Sequence, residues 1–310
     1  MSTSETNISI RSIETREEYR AIEELQRSVW QMPDWRDVVP TDLLVAVHKN
    51  GGIILGAFDE SRQLVGFVFS FVGVEDDQGQ RRIKHCSHML AVLPTYQAQG
   101  IGARLKWAQR ACVLAQGIDL ITWTYDPLLA RNAHLNLACL GAIARRYIPN
   151  AYGEMTDGLN AGLASDRFEV EWWLNAPRVL ARIENKPRAD WDALVGAGAQ
   201  PSFDIAFDAR DLPRLGRVNE PHGNVLLVEI PADLNVLKSA APSLAREWRA
   251  HTRDLFQRAF AAGYVADDFV VTTRDARKRT SYLLKPSTNS SGNTVPPSSP
   301  GFQVPLLQGN

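Results

Sequence analysis

From His88 to Arg110 the chain reads HMLAVLPTYQAQGIGARLKWAQR. A strand-like run meets a proline, then two glycines one residue apart, then a helix-forming segment. A helix that starts on bare backbone leaves its first N–H groups without intrahelical partners and gathers the positive end of the peptide dipoles there. Gly100 and Gly102 remove side chains at that end and permit positive φ. Such an end suits an anion, above all the phosphates of a ligand. The run before it, Cys86–Leu93, is a strand whose open backbone groups can line a ligand lying alongside. The competing reading is a tight strand–helix connection that binds nothing. Two other phosphate loops are excluded: no GxxxxGK[ST] occurs, and Leu105 stands where a GxGxxG loop needs its third glycine.

Strand and helix signals alternate around this turn. ISIRSI alternates apolar and polar residues as a half-buried strand does, and Thr15 with Glu18 forms a capping box for the helix that follows. Thr41 or Asp42 opens a second helix. GIILGAFDE and QLVGFVFSFVGV read as a hairpin turning at Asp59–Arg62. KHCSHMLAVL is the next strand, and Gly117 closes the helix after the glycine turn. LITWTYD, a helix ending at Gly141, AIARRYI and RFEVEWWL complete the block, with Phe168, Val170 and Trp172 on one face.

Gln97-Ala98-Gln99-Gly100-Ile101-Gly102 resembles the Q/R-x-x-G-x-G/A motif of the GNAT superfamily of acyl-CoA N-acyltransferases. Leu90-Ala91-Val92 with Pro94 and Tyr96 resembles the strand leading into it, and the order β-α-α-β-β-β-α-β-α-β-β over residues 8–174 is the order of that family. The chain is also similar to a bacterial branch that carries an additional C-terminal region. The resemblance implies a mixed α/β (α+β) fold with a split, V-shaped central sheet. Acetyl-CoA or another acyl-CoA would lie between strands 4 and 5 as co-substrate, with no metal. Leu90, Ala91, Val92 and the turn Gln97, Ala98, Gln99, Gly100, Ile101, Gly102 and Ala103 would hold it, with Asn132 against its pantetheine arm. The amide N–H groups of Gln99 to Ala103 would take the pyrophosphate.

Acyl transfer to an amine needs the amine deprotonated, the thioester carbonyl polarised and the thiolate reprotonated. The family pattern gives polarisation to backbone N–H groups around Leu90 to Val92. His88 is the favoured base: strand parity with Leu90 and Val92 puts it on their side, and an ordinary pKa of roughly 6.5 suits proton relay. His-Met-Leu-Ala-Val also resembles a His-x-Leu-Ala-Val stretch within the family in which the histidine relays the amine proton. A structural histidine is the alternative. Asp126, Glu75 and Asp76 could act instead through water. The family's usual acid is a tyrosine four residues before the glycine ending the fourth helix. Here that position holds Leu137, leaving His134, Tyr147 and Tyr152 as substitutes. Arg145, Arg146 and Arg167 lie near the open end of the V, and Arg167 is the candidate reader of a substrate carboxylate, with Asp126 also assigned to substrate binding.

The formal net charge of -1 gives no general case for nucleic acid or an anionic membrane. Cys86, Cys112 and Cys139 show no ligand spacing and read as buried thiols in a reducing compartment. The start MSTSETNISI has no secretory pattern and no run is long enough to span a bilayer, so the expected location is cytoplasmic. Residues 1–178 form the expected acyltransferase domain, 179–200 a connector and 201–285 a smaller α+β unit that packs on the first block or on a second copy as a homodimer. In that unit Leu244, Trp248, Leu255 and Ala259 make one apolar stripe, and Pro242 divides the helical segment. Residues 286–310 are rich in Pro, Ser, Asn and Gly and read as disordered. The expected function is acetyl or succinyl transfer to a small amine or amino acid. The alternative is a non-catalytic acyl-CoA-binding or interaction module.

Overall fold

A computed structural model describes residues 7–77, 80–153, 162–188, 190–219 and 223–287. β1 (Ser9–Ser12) leads into α1 (Arg16–Trp30), which Thr15 and Glu18 cap reciprocally as the capping box requires. α2 (Thr41–Lys49) opens at Thr41, with Pro40 at its cap and no side-chain cap. Then come β2 (Ile53–Phe58), β3 (Leu64–Asp77), β4 (Gln80–Val92), α3 (Ile101–Ala115) and β5 (Leu120–Tyr125). α4 (Ala130–Ala133) continues as a π-helical stretch (His134–Cys139), and β6 (Ile143–Ile148) and β7 (Arg167–Trp173) close the block. The element order is the anticipated one, and the turn at Asp59–Arg62 joins an antiparallel β2–β3 pair.

The two faces of this sheet are packed by different residues. Phe67, Phe69 and Ala91 join Tyr19, Ile22, Leu25 and Leu44 under α1 and α2. Val65 and Val68, with Leu90 and Val92 beside them, pack with Ile101, Leu105 and Val113 under α3. β4 and β5 are parallel and pair only at His85↔Ile121 and Cys86↔Thr122. Beyond those pairs the two strands run on apart, to Val92 and Tyr125. That is the split of the V.

After β7 come α5 (Pro177–Ile183), α6 (Trp191–Gly196), β8 (Gln200–Pro201), β9 (Phe203–Phe207) and β10 (Pro213–Val218). β11 (Leu226–Ile230), α7 (Leu234–Ala240), α8 (Pro242–Ala261), β12 (Tyr264–Arg274) and β13 (Arg277–Pro286) follow. Pro242 opens α8 as a new helix, which fits a residue that cannot continue the one before. The stretch read as a connector carries helix over much of its length. Residues 288–310, most of the expected tail, lie outside the described residues.

The smaller unit packs on the first block of its own chain. β12 pairs with β6 at Ala266↔Ala144, so among the described residues one sheet of 11 strands runs β1-β2-β3-β4-β5-β7-β6-β12-β13-β11-β8. α8 buries the whole predicted stripe, Leu244, Trp248, Leu255 and Ala259. Phe256 of α8 meets Phe168 of β7 edge-on, with ring centroids 4.7 Å apart, and also packs on Tyr147 and Tyr282. Ion pairs add to this: Arg178 holds Asp267, and Arg182 and Arg188 each reach Asp268 at 2.8 Å. Since Phe256 is fully buried between both halves, Phe256→Ala should destabilise the whole chain by about 3–5 kcal/mol. Calorimetry should show one transition moved down; loss of order confined to residues 200–287 would mean that the halves fold separately.

Candidate active site

The turn after β4 carries the conformations its glycines allow. Gly100 caps α3 at φ 74°, and Ala98, two residues before, is also left-handed at φ 62°. Residues of alternating handedness turn successive N–H groups to one side, forming an anion-binding concavity. The N–H groups of Ala98 to Ala103 have no hydrogen-bond acceptor among the described residues, and Arg104 N–H is the first in α3 to find one, at Gly100 O. A Cβ added at Gly100 would meet nothing within 4 Å, and one at Gly102 would meet only Leu90 and Leu135 side chains, at 3.8 and 3.9 Å. Packing within the chain therefore does not require glycine at 102.

The open edge of β4 completes this side of the split. Leu93 N–H donates to Val65 O at 2.9 Å across the β3 ladder. By the two-residue alternation of an antiparallel pair, Leu90 and Val92 direct their backbone groups away from β3, into the split. At the mouth, Gln97 Nε2 donates to Val92 O at 2.9 Å. Gln97 Oε1 accepts from Arg131 at the start of α4. Asn132 follows, half-buried, and Leu135 one turn on approaches Gly102. The Arg131 guanidinium adds positive charge at the mouth, beside the unpaired amides.

His88 lies elsewhere than parity predicts. The β3–β4 register jumps from Phe69↔Met89 to Ser70↔Ser87, so His88 is the extra residue of a β-bulge. Leu90 packs toward α3, whereas the His88 ring lies 5.7 Å from Phe69 and 6.1 Å from Phe71, on the opposite face. One side of the ring is open to solvent, and the apolar surroundings on the other push its pKa down. A lowered pKa keeps the imidazole neutral, the form that accepts a proton.

The face opposite α3 is polar near the point of parting. Cys86, Thr122 and Glu171 stand in one row across β4, β5 and β7. Around them Glu75 pairs with Lys84 at 3.3 Å, Glu171 with Arg145 at 2.9 Å and Glu169 with Arg146 at 2.6 Å. Burial pushes the Glu171 carboxyl up, with Arg145 and the Trp173 N–H opposing it. Glu171 was not singled out from the sequence, although the alternation in RFEVEWWL already gave Glu169 and Glu171 a polar face. Arg145 and Arg146 are thus held by glutamates. Arg167 is buried, donates to Asp166 O at 2.9 Å and lies over the Tyr152 ring.

Asp126 turns toward the C-terminal unit. Its Oδ1 accepts the Leu128 N–H at 2.8 Å and its Oδ2 accepts from Arg249 of α8. Leu137, at the usual acid position, is fully buried core. His134 sits near Arg188, Lys278 and Asp268, and burial pushes its pKa down. Tyr147 donates to Asp166 within the core. Tyr152 is exposed and its hydroxyl is 3.0 Å from Thr124 Oγ1. Among the described residues no group of three or more His, Cys, Asp or Glu side chains could hold a metal ion, and no helix is long and apolar enough to cross a membrane.

The element order and the parting of β4 from β5 are those that the GNAT resemblance implies. No family model matches the chain, and no curated protein matches it. Among solved structures it is similar to the ribosomal-protein-S18-alanine N-acetyltransferase from Escherichia coli, at 14% identity over 55% of this chain and 96% of that one, TM-score 0.43. It is similar to a chain of the NatC complex bound to Gag peptide and CoA, at 16% identity over 53% of this chain and 96% of that one, TM-score 0.42. A GNAT family N-acetyltransferase from Escherichia coli in complex with CoA matches at 20% identity over 43% of this chain and 70% of that one, TM-score 0.34.

Because a Cβ at position 102 would make only ordinary van der Waals contacts, with the Leu90 and Leu135 side chains, Gly102→Val should leave stability within about 1 kcal/mol. It should weaken CoA binding by roughly tenfold or more, since the added methyls occupy the ligand's approach. Calorimetric titration of CoA into both proteins checks this; equal affinity would mean the glycine serves the turn alone.

Proposed function

We propose that the chain is an acyl-CoA-dependent N-acyltransferase that transfers an acetyl or succinyl group directly to a small amine or amino acid. The observation that carries the reading is the run of unpaired N–H groups at Ala98–Ala103, at the mouth of a split whose wall offers the Leu90 and Val92 amides. Pyrophosphate on the turn and the acyl carbonyl on the β4 edge account for both. Arg131 and Asn132 flank the arm between them. His88, open to solvent and biased toward the neutral form, takes the amine proton, directly or through water. The nitrogen then attacks the thioester carbonyl, the C–N bond forms and the C–S bond breaks. Tyr152 and Arg167 border the acceptor side, where Arg167 favours acceptors or acyl groups bearing a carboxylate.

Leu137 at the usual acid position is what favours the non-catalytic module as a second reading. Release of free CoA thiol, followed with acetyl-CoA and succinyl-CoA against a panel of amines and amino acids, separates the two. Turnover should appear with at least one amine, and His88→Ala should lower kcat by about 10²-fold or more. Tight CoA binding with no amine-dependent thiol release across the panel would favour the sensing module.

A further inference from the structure

Tyr152 is 58% exposed, yet it is held at its backbone, its hydroxyl and one face of its ring. Its N–H donates to Ser165 Oγ at 2.9 Å, and the Ser165 hydroxyl donates to Gly153 O at 2.7 Å. Its own hydroxyl lies 3.0 Å from Thr124 Oγ1 on β5. The Arg167 guanidinium backs the ring, 5.2 Å from its centroid. Ser165 and Arg167 are themselves buried, so the supports are firm while the tyrosine remains open. An exposed ring fixed in this way is a ready contact surface, because little side-chain freedom is left to lose when a ligand packs on it.

Strand register sets Tyr152 level with His88. The last β4–β5 pair is Cys86↔Thr122, so His88 and Thr124 each stand two residues further along their strands. Trp123 faces the buried Lys106 of α3, so its neighbour Thr124 points to the other face. The β4 bulge has put His88 on that same face, where the half-buried Phe71 lies beside it. Glu169, the register partner of Thr124, is paired with Arg146 at 2.6 Å. Charge there is matched within the chain, and the surface offered to a ligand is aromatic. The reach also fits. Leu90 lies two residues beyond His88, so a carbonyl held at the Leu90 amide is about 7 Å along the strand from the level of Thr124. An amine joined to a ring by a short alkyl tether spans that distance.

Building on the acyltransferase reading, we propose that the acceptor is an amine bearing an aromatic group, whose ring packs on the open face of Tyr152. Its nitrogen then lies toward His88 and the thioester carbonyl. Arg167 behind the ring and Thr124 at the hydroxyl keep Tyr152 from turning away. Aromatic pairs gain energy beyond the area they bury, which separates an aromatic acceptor from an aliphatic one of similar size. The selection acts through the ring, with or without a carboxylate on the acceptor.

The test compares CoA thiol release from acetyl-CoA and succinyl-CoA with matched acceptors: phenylalanine against leucine, and phenethylamine against isopentylamine. The aromatic member should be used with a kcat/KM about tenfold higher than its aliphatic partner, the difference lying mainly in KM. Tyr152→Ala should abolish that preference and Tyr152→Phe should keep it, with CoA binding as the check that both variants are folded. Equal use of the two acceptors, or turnover confined to non-aromatic amines, overturns the proposal and leaves the acyltransferase reading standing. So does a preference that survives in Tyr152→Ala, or one lost equally in Tyr152→Phe, which would assign the effect to the hydroxyl. No amine-dependent thiol release with any acceptor, from a protein that binds CoA, overturns the acyltransferase reading and the proposal together.

Discussion

The structure turns on two parallel strands that pair over two positions and then part. β4 is held on its other side by β3 from Val92 back to Gln80, and β5 is held by β7 along its whole length. Neither can swing to close the gap without breaking a long antiparallel ladder. The backbone groups left along the gap cannot pair with each other, and unpaired backbone groups away from water are costly. On the acyltransferase reading proposed above, a ligand with polar groups along an extended arm satisfies them. The glycine turn extends the same principle past the end of the strand, where six successive amides have no acceptor among the described residues.

The second half of the chain holds the β5 side of that gap. Arg249 of α8 reaches Asp126 at the end of β5, and Tyr282 of β13 donates to Pro127 O and meets the Tyr125 hydroxyl at 3.1 Å. Arg253 of α8 grips both oxygens of Asp166, at 2.7 and 2.8 Å, just before β7. Asp166 in turn accepts from Asn150 N–H and Tyr147, and Ser165 accepts the Tyr152 N–H. One helix thus holds both the end of β5, at Asp126, and the residues just before β7, at Asp166. The unit read from the sequence as an addition is a structural part of the cleft.

The local features were the legible ones. The capping box at Thr15, the glycine turn, the break at Pro242 and the apolar stripe of α8 each depend on residues close together in the chain. What stayed hidden depends on cross-strand register. The bulge that turns His88 to the opposite face from Leu90 leaves no mark in HMLAV, because parity counts residues and cannot see one inserted. The pairing of Arg145 and Arg146 with Glu171 and Glu169 required the β6–β7 register, and the joining of β12 to β6 required a contact across more than a hundred residues. Lys106 was not singled out from the sequence, although its spacing from Gln109 and Val113 already put it on the buried side of α3.

Amide hydrogen exchange with and without CoA tests the central claim most directly, because it reads the backbone groups to which the account assigns the ligand. CoA should slow exchange at residues 98–103 and along the β4 edge from Ser87 to Val92, and leave β11 and the outer part of β13 as they were. Unchanged exchange in the turn, under conditions where CoA binding is independently measured, would contradict the account and move the ligand to another part of the molecule.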